Sequence, residues 1–116
     1  MAFHEELLHR DDLKDELLSF GERMSSLLFA EVLRRAGVEA ENFDVRNVMR
    51  TDSLFTGAIP QLPEIAQRCE QFLLPVLGDK VIVTQGFIGA DDKGRTTTLG
   101  RGGSDFTAAL LAEALD

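Results

Sequence analysis

The densest collection of groups able to hold a small polar ligand lies near the end of the chain, in GRTTTLGRGGSD (residues 94–105). Glycines let backbone N–H groups turn toward a ligand with no Cβ in the way. A helix beginning directly afterwards adds the positive end of its dipole. Gly100, Gly102, Gly103 and Ser104 fit such an anion cradle. Arg101 adds a planar fork suited to bidentate binding of a carboxylate or phosphate, and Asp105 suits an ammonium group. A carboxylate grip beside an ammonium grip is, in outline, a site for an amino acid. A capped helix with a solvated arginine explains the same residues equally well. The spacing matches neither Gly-x-x-x-x-Gly-Lys-Ser/Thr nor Gly-x-Gly-x-x-Gly, so no nucleotide motif is read from it.

A second set lies in SFGERMSS (residues 19–26). Gly21 stands inside a helical pattern, where it costs ~1 kcal/mol relative to alanine, so a neighbour is expected to approach closely there. Glu22 shares a face with Leu18, Ser25, Ser26 and Phe29, while Phe20, Met24 and Leu27 occupy the opposite side. A helix with so little polar surface in its middle is expected to be buried, which makes Glu22 either a paired structural carboxylate or a ligand-binding one. The stretch Lys93 to Arg101 is locally basic, with Lys93, Arg95 and Arg101 against Asp91 and Asp92, and suits a small anion. His4 and His9 are five residues apart in a charged stretch and read as solvated. The single Cys69 reads as a buried reduced thiol; no metal site is expected.

The elements that must position these groups follow from periodicity. Residues 5 to about 36 read as helix, with a possible break capped by Asp11 or Asp12, an apolar stripe of Leu17, Phe20, Met24, Leu27 and Leu28, and a stop at Gly37. ENFDVRNV (41–48) reads as a strand, and MRTDSLFTGAIP (49–60) as an exposed connection. A second helix starts near Pro63, carries Ile65, Cys69, Phe72 and Leu73, and ends before Gly78. KVIVTQGFI (80–88) is β-branched and almost continuously apolar, the pattern of a parallel strand buried on both faces. A glycine-rich loop (86–103) and a final helix capped by Ser104 or Asp105 complete an α-β-α-β-α order, which implies an α/β sandwich with mainly parallel strands. Two strands are few for such a sheet, and the apolar edge of the second favours self-association.

At 116 residues the chain fits one domain, and 44% hydrophobic with 28% charged residues is the composition of a folded protein. A net charge of -8 without a basic, aromatic-studded stripe argues against nucleic acid as partner. No apolar run approaches the ~20 residues that span a bilayer, and the N-terminus lacks the pattern of a secretory signal, so no membrane partner and a cytoplasmic location are expected.

VTQGFIGADDKGRTTTLGRGGSDFTAALLAEAL (83–115) closely resembles the catalytic core of aspartokinases, members of the amino-acid kinase family. The resemblance extends back through DELLSFGERMSSLLFAEVLRRAGVEAENFDVRNVMRT (15–51) and is closest to the lysine-sensitive bacterial type. It implies a partial three-layer α/β/α sandwich and, for the parent enzyme, ATP-dependent phosphorylation, with Mg2+, of the side-chain carboxylate of L-aspartate on the way to lysine, threonine and methionine. By the same resemblance Arg101 grips substrate carboxylate, and Gly102, Gly103, Ser104 and Asp105 belong to the aspartate site, with Asp105 as the catalytic candidate. Glu22 matches a glutamate near the substrate amino group. Phe106 stands where relatives often carry tyrosine. The family's Lys-Phe-Gly-Gly-Thr-Ser stretch has no counterpart upstream of Glu22, and its Trp-Thr-Asp segment and regulatory ACT domains have none downstream. Residues 1–116 are therefore expected to be a single internal fragment of the catalytic domain that carries the aspartate half of the site, is inactive alone and binds ATP poorly. The alternatives are a stand-alone module that dimerises without kinase activity, and a remnant that binds nothing.

Overall fold

The computed structural model describes residues 9–100 and 102–116. His4, the predicted helix start at residue 5 and Arg101 lie outside the described residues. Helix α1 (Asp11–Arg35) begins after a break at Arg10, and Asp11 and Asp12 occupy its first turn rather than capping it. Arg34 and Arg35 in the last turn complete the match to the helix dipole. Gly37, at φ 89°, ends the helix as expected. Its N–H returns to Arg34 O and that of Val38 to Leu33 O, which satisfies the last carbonyls through a left-handed residue best supplied by glycine.

Strand β1 (Ala40–Phe43) pairs in parallel with β2 (Val81–Thr84), Ala40 opposite Val81 and Phe43 opposite Thr84. Between them runs α2 (Leu62–Arg68), whose helical path widens to a π turn at Cys69–Leu73 and tightens again at Leu74–Val76. Pro75 has no N–H to return to the preceding turn, and the wide turn, where Leu74 N–H reaches back to Cys69 O, absorbs the missing bond. A short antiparallel hairpin, β3 (Ile88–Ala90) with β4 (Thr96–Thr98), forms a second sheet, and α3 (Gly103–Leu115) closes the fold. Among the described residues no helix is long and apolar enough to cross a membrane.

Side chains alternate across β2 and assign the layers. Val83 faces α1 in a shared cleft, whereas Ile82 joins Phe43 against the core formed by Val45, Val48, Met49, Ile65, Cys69, Leu73, Ile88, Leu99 and Leu110. The sheet is thus sandwiched between α1 on one face and α2 with α3 on the other, the α/β arrangement expected. Cys69 is fully buried, and burial pushes its thiol pKa up.

Several expectations are corrected. The strand expected over 41–48 ends at Phe43, because the Asp44 carboxylate accepts the Arg46 N–H (3.0 Å) and turns Val45–Asn47 into a 3-10 helix. The strand expected over 80–88 breaks at Gln85–Phe87, where Phe87 adopts φ 75°, so that Ile88 enters the other sheet. Nor is β2 buried on both faces: Val81 is 45% exposed. The loop expected over 86–103 holds the β3–β4 hairpin, with Thr96, Thr97 and Thr98 all buried. The largest reversal is in α1. Its predicted core stripe of Leu17, Phe20, Met24, Leu27 and Leu28 is exposed, while Asp15, Ser19, Ser26 and Ala30 face inward. Small side chains let the helix lie close to the strands, and the inward hydroxyls satisfy themselves on the helix carbonyls of Glu16 (2.7 Å) and Arg23 (3.0 Å).

Candidate functional site

The end of β2 is where the candidate residues converge. Gln85, the residue that follows the strand, is buried; its Oε1 accepts the Val45 N–H (2.8 Å) and its Nε2 donates to Ser26 Oγ (2.8 Å). These bonds pin the middle of α1 to the strand end. One turn earlier on the same helix, Glu22 overlooks a cleft of ≈ 230 Å³ lined also by Ser25, Ser26, Phe29, Val83, Thr84 and Gln85. Glu22 is half-buried rather than enclosed, and it takes part in no ion pair among the described residues, unlike Glu16, which meets Arg23 at 3.3 Å. A half-buried carboxylate without a counter-ion at the mouth of a cleft is available to a cationic group. Gly21 beside it shows no close approach: a Cβ built there meets nothing within 4 Å.

The other wall is the start of α3. Gly102, at φ 76°, is the N-cap, and Gly103, Ser104 and Asp105 form the first turn. Neither Ser104 nor Asp105 caps the helix with its side chain, as the sequence suggested; both are exposed, with Asp105 favourably placed on the helix dipole. This turn touches the strand end directly. A Cβ on Gly86 would stand 2.9 Å from Ser104 Cα, and one on Gly103 would stand 3.1 Å from Phe87 Cα. At Gly86 any side chain would force the Ser104 backbone to shift, and at Gly103 it would crowd Phe87 and Leu99. The left-handed Phe87 between them donates its N–H to Thr107 Oγ1 (3.1 Å) and accepts at its carbonyl from Leu99 N–H (2.8 Å).

Gln85 lines the Glu22 cleft, and Gly86, the next residue along the chain, touches the first turn of α3 at Ser104. Exposed helix-start amides attract an anionic group, and carboxylates on either flank attract a cationic one. The combination suits a zwitterion. No group of three or more His, Cys, Asp or Glu side chains able to hold a metal ion occurs among the described residues.

Behind the site, two buried carboxylates fix the hairpin. Asp91 accepts from the N–H groups of Lys93 (3.1 Å) and Arg95 (2.8 Å), the Ser53 hydroxyl (2.9 Å) and the Arg95 guanidinium (2.9 Å). Burial pulls its pKa upward, but the Arg95 N–H, the Ser53 hydroxyl and the Arg95 guanidinium outweigh it and hold the carboxyl below its usual range. Arg95, expected to welcome an anion, is thereby engaged within the chain and also stacks over Phe55 at 5.0 Å. Asp15 accepts from Thr56 N–H (2.8 Å), Thr98 N–H (2.9 Å) and the Thr98 hydroxyl (2.9 Å). Here burial outweighs the hydrogen bonds and lifts the carboxyl above its usual range.

Sequence reasoning missed Gln85, Thr107, Asp15 and Asp91. The run Thr96–Thr98 in a glycine-rich segment was the available signal that buried hydroxyls needed partners elsewhere.

The profile of the Amino acid kinase family matches residues 2–116. The chain is 59% identical over 103 residues to the lysine-sensitive aspartokinase 3 of Escherichia coli, covering 89% of this chain and 23% of that protein. It is 37% identical over 107 residues to the chloroplastic aspartokinase 1 of Arabidopsis thaliana, covering 88% of this chain and 18% of that one. The crystal structure of E. coli aspartokinase III in complex with aspartate and ADP superposes with a TM-score of 0.89 at 57% identity, over 91% of this chain and 24% of that chain. Its complex with lysine and aspartate superposes with a TM-score of 0.90, over the same shares. The chain thus spans about a quarter or less of the length of these relatives.

Proposed function

Since the chain belongs to the amino acid kinase family, we propose that it forms the aspartate-binding part of the catalytic domain of an aspartate kinase, an enzyme of the lysine, threonine and methionine route acting in the cytoplasm. In that reaction a side-chain carboxylate oxygen of L-aspartate attacks the γ-phosphorus of ATP. The new O–P bond forms as the bond to the β-phosphate oxygen breaks, leaving an acyl phosphate and ADP. Such a transfer needs little covalent help; it needs two anions brought together and held in line.

The residues of this chain supply the holding. Glu22 takes the ammonium group of aspartate from the α1 side, and Asp105, touching the substrate, assists from the start of α3. The amides of Gly102, Ser104 and Asp105 and the Ser104 hydroxyl receive carboxylate, joined by the Arg101 guanidinium, while the Gly103 N–H stays on the Gly100 carbonyl. The observation that carries this reading is the convergence of the Glu22 cleft and the α3 start on Gln85 and Gly86, in a fold that superposes on a relative whose structure is a complex with aspartate and ADP.

Calorimetric titration of the purified chain with L-aspartate tests it. Heat is expected from the wild type and is lost in Arg101→Ala; a wild-type chain that gives no heat with aspartate refutes the reading. Coupled ATP turnover by the same 116-residue chain is expected to be nil, because the family's Lys-Phe-Gly-Gly-Thr-Ser stretch does not occur in these residues; sustained turnover would refute the half-site. The chain alone also self-associates, on this reading, through the open edges of the two-stranded parallel sheet, and a monomer in sedimentation at micromolar concentration speaks against that.

A further inference from the structure

Thr107 is 2% exposed and lies one turn inside α3, so its side chain reaches no ligand. Its hydroxyl donates to the carbonyl of Gly103 (2.7 Å), the ordinary return bond of a threonine to the preceding helical turn. The same oxygen also accepts the N–H of Phe87, 20 residues earlier in the chain (3.1 Å). A single hydroxyl therefore joins the first turn of α3 to the turn that leaves β2.

That second turn needs holding. Phe87 sits at φ 75°, a conformation in which a bulky side chain is strained and which persists only where the surroundings enforce it. Leu99 N–H holds its carbonyl (2.8 Å) and Thr107 its N–H. Release of the N–H would leave a donor without a partner and the strain without restraint. The turn is also what presents Gly86 to Ser104 and Gly103 to Phe87 at sub-van der Waals spacing for any side chain. Its position fixes how far Ser104 and Asp105 stand from the strand end on which Gln85 anchors the Glu22 helix.

We infer that Thr107 is a positioning residue of the ligand site: its hydroxyl clips the start of α3 to the left-handed turn at Phe87 and so sets the width between Ser104–Asp105 and Glu22. As a statement about aspartate, it rests on the function proposed above; as a statement about geometry, it does not.

The test uses the full 116-residue chain in three forms, wild type, Thr107→Val and Thr107→Ser, with amide hydrogen exchange and amide chemical shifts by NMR, thermal unfolding, and titration with L-aspartate. Valine keeps the shape and removes both bonds; serine keeps both. In T107V the Phe87 amide is expected to exchange roughly three- to tenfold faster, as the loss of one hydrogen bond implies. The Ser104 and Asp105 amides shift, those of Leu110 and Leu111 do not, and aspartate binds about tenfold more weakly, whereas T107S restores all three. Unchanged Ser104 and Asp105 amides in a folded T107V overturn the inference. So does a T107S chain that behaves like T107V, since the methyl and not the hydroxyl would then matter. If T107V does not fold, the other two forms decide: a Phe87 amide protected in both supports the clip, and one exchanging at the unprotected rate in wild type overturns it. A wild type that ignores aspartate refutes the aspartate reading, while the amide data still decide the clip.

Discussion

Substitution of Gly86 by alanine probes the junction of the two walls most directly. The added methyl would lie 2.9 Å from Ser104 Cα and 3.0 Å from both its Cβ and Oγ. Carbon atoms in comfortable contact stand about 3.5–4.0 Å apart, so Ser104 must retreat by roughly 0.6–1.1 Å. The obstacle is backbone and cannot swing aside, and Thr107 and Phe87 oppose its retreat. Overpacking of this kind costs about 1–3 kcal/mol. A ligand-binding turn moved by about 1 Å loses up to about a hundredfold in positioning. G86A is therefore expected to melt earlier and, in its folded fraction, to bind L-aspartate about 10- to 100-fold more weakly by calorimetry. Gly89→Ala supplies the control. Its methyl would meet Met49 O at 2.6 Å and Thr51 Cγ2 at 3.0 Å, a worse clash in the hairpin behind the site. G89A should lose stability while its folded fraction keeps wild-type affinity. Wild-type affinity in G86A, or an equal loss of affinity in G89A, would refute the reasoning.

Three further outcomes follow from named contacts. Glu22→Gln should weaken aspartate binding by about tenfold with no change in melting temperature, because Glu22 is half-buried and engages no ion pair among the described residues; an altered melting temperature with intact binding would mark it as structural. Asp15 has a raised folded pKa, so its contribution to stability is fully present below the unfolded value near 3.8 and is lost as pH rises through the folded value. Asp15→Asn, whose amide oxygen can face the Thr56 and Thr98 N–H groups, should remove that part of the pH profile at little cost at neutral pH, and denaturant melts over pH 3–8 check it. Asp91 runs the other way. Its lowered pKa makes its contribution present above about 3.8 and lost as pH falls through the folded value, so the penalty of Asp91→Asn, about 2–3 kcal/mol with the half-exposed Arg95 allowed for, should shrink toward pH 2; a pH-independent penalty would contradict the ion pair.

The alternation of the helices with the two parallel strands, though not the hairpin, was legible because it rests on local chemistry: Gly37 has the left-handed backbone that ends α1, and Pro63 lies in the first turn of α2. Of the candidate residues, Glu22 shares a cleft with Gln85, and Ser104 and Gly103 pack on Gly86 and Phe87; these contacts rest on residues that periodicity does not mark. What was not legible was decided at long range. The break in the Lys80–Ile88 run comes from a phenylalanine forced left-handed by partners 12 and 20 residues away, a cost no local preference predicts. The inward face of α1 was misjudged because periodicity locates apolar residues but not the neighbour they serve. Here the strands select Ser19, Ser26 and Ala30 for close approach and leave Phe20 and Met24 outside.

The Asp15 carboxylate also constrains the order in which the chain can fold. It takes its donors from Thr56, 41 positions onward, and from Thr98, 83 positions onward, and it is fully buried once they arrive. Stripping water from an ionised carboxylate before those donors are in place is steeply unfavourable, and closing loops of that length carries its own entropic toll. The amino-terminal part of α1 is therefore expected to dock only after the hairpin and the Thr56 turn have formed, although it is synthesised before them. The Thr98 amide, sealed by that last event, is the natural reporter of it: its exchange with solvent should follow the opening of the whole molecule and not local fraying.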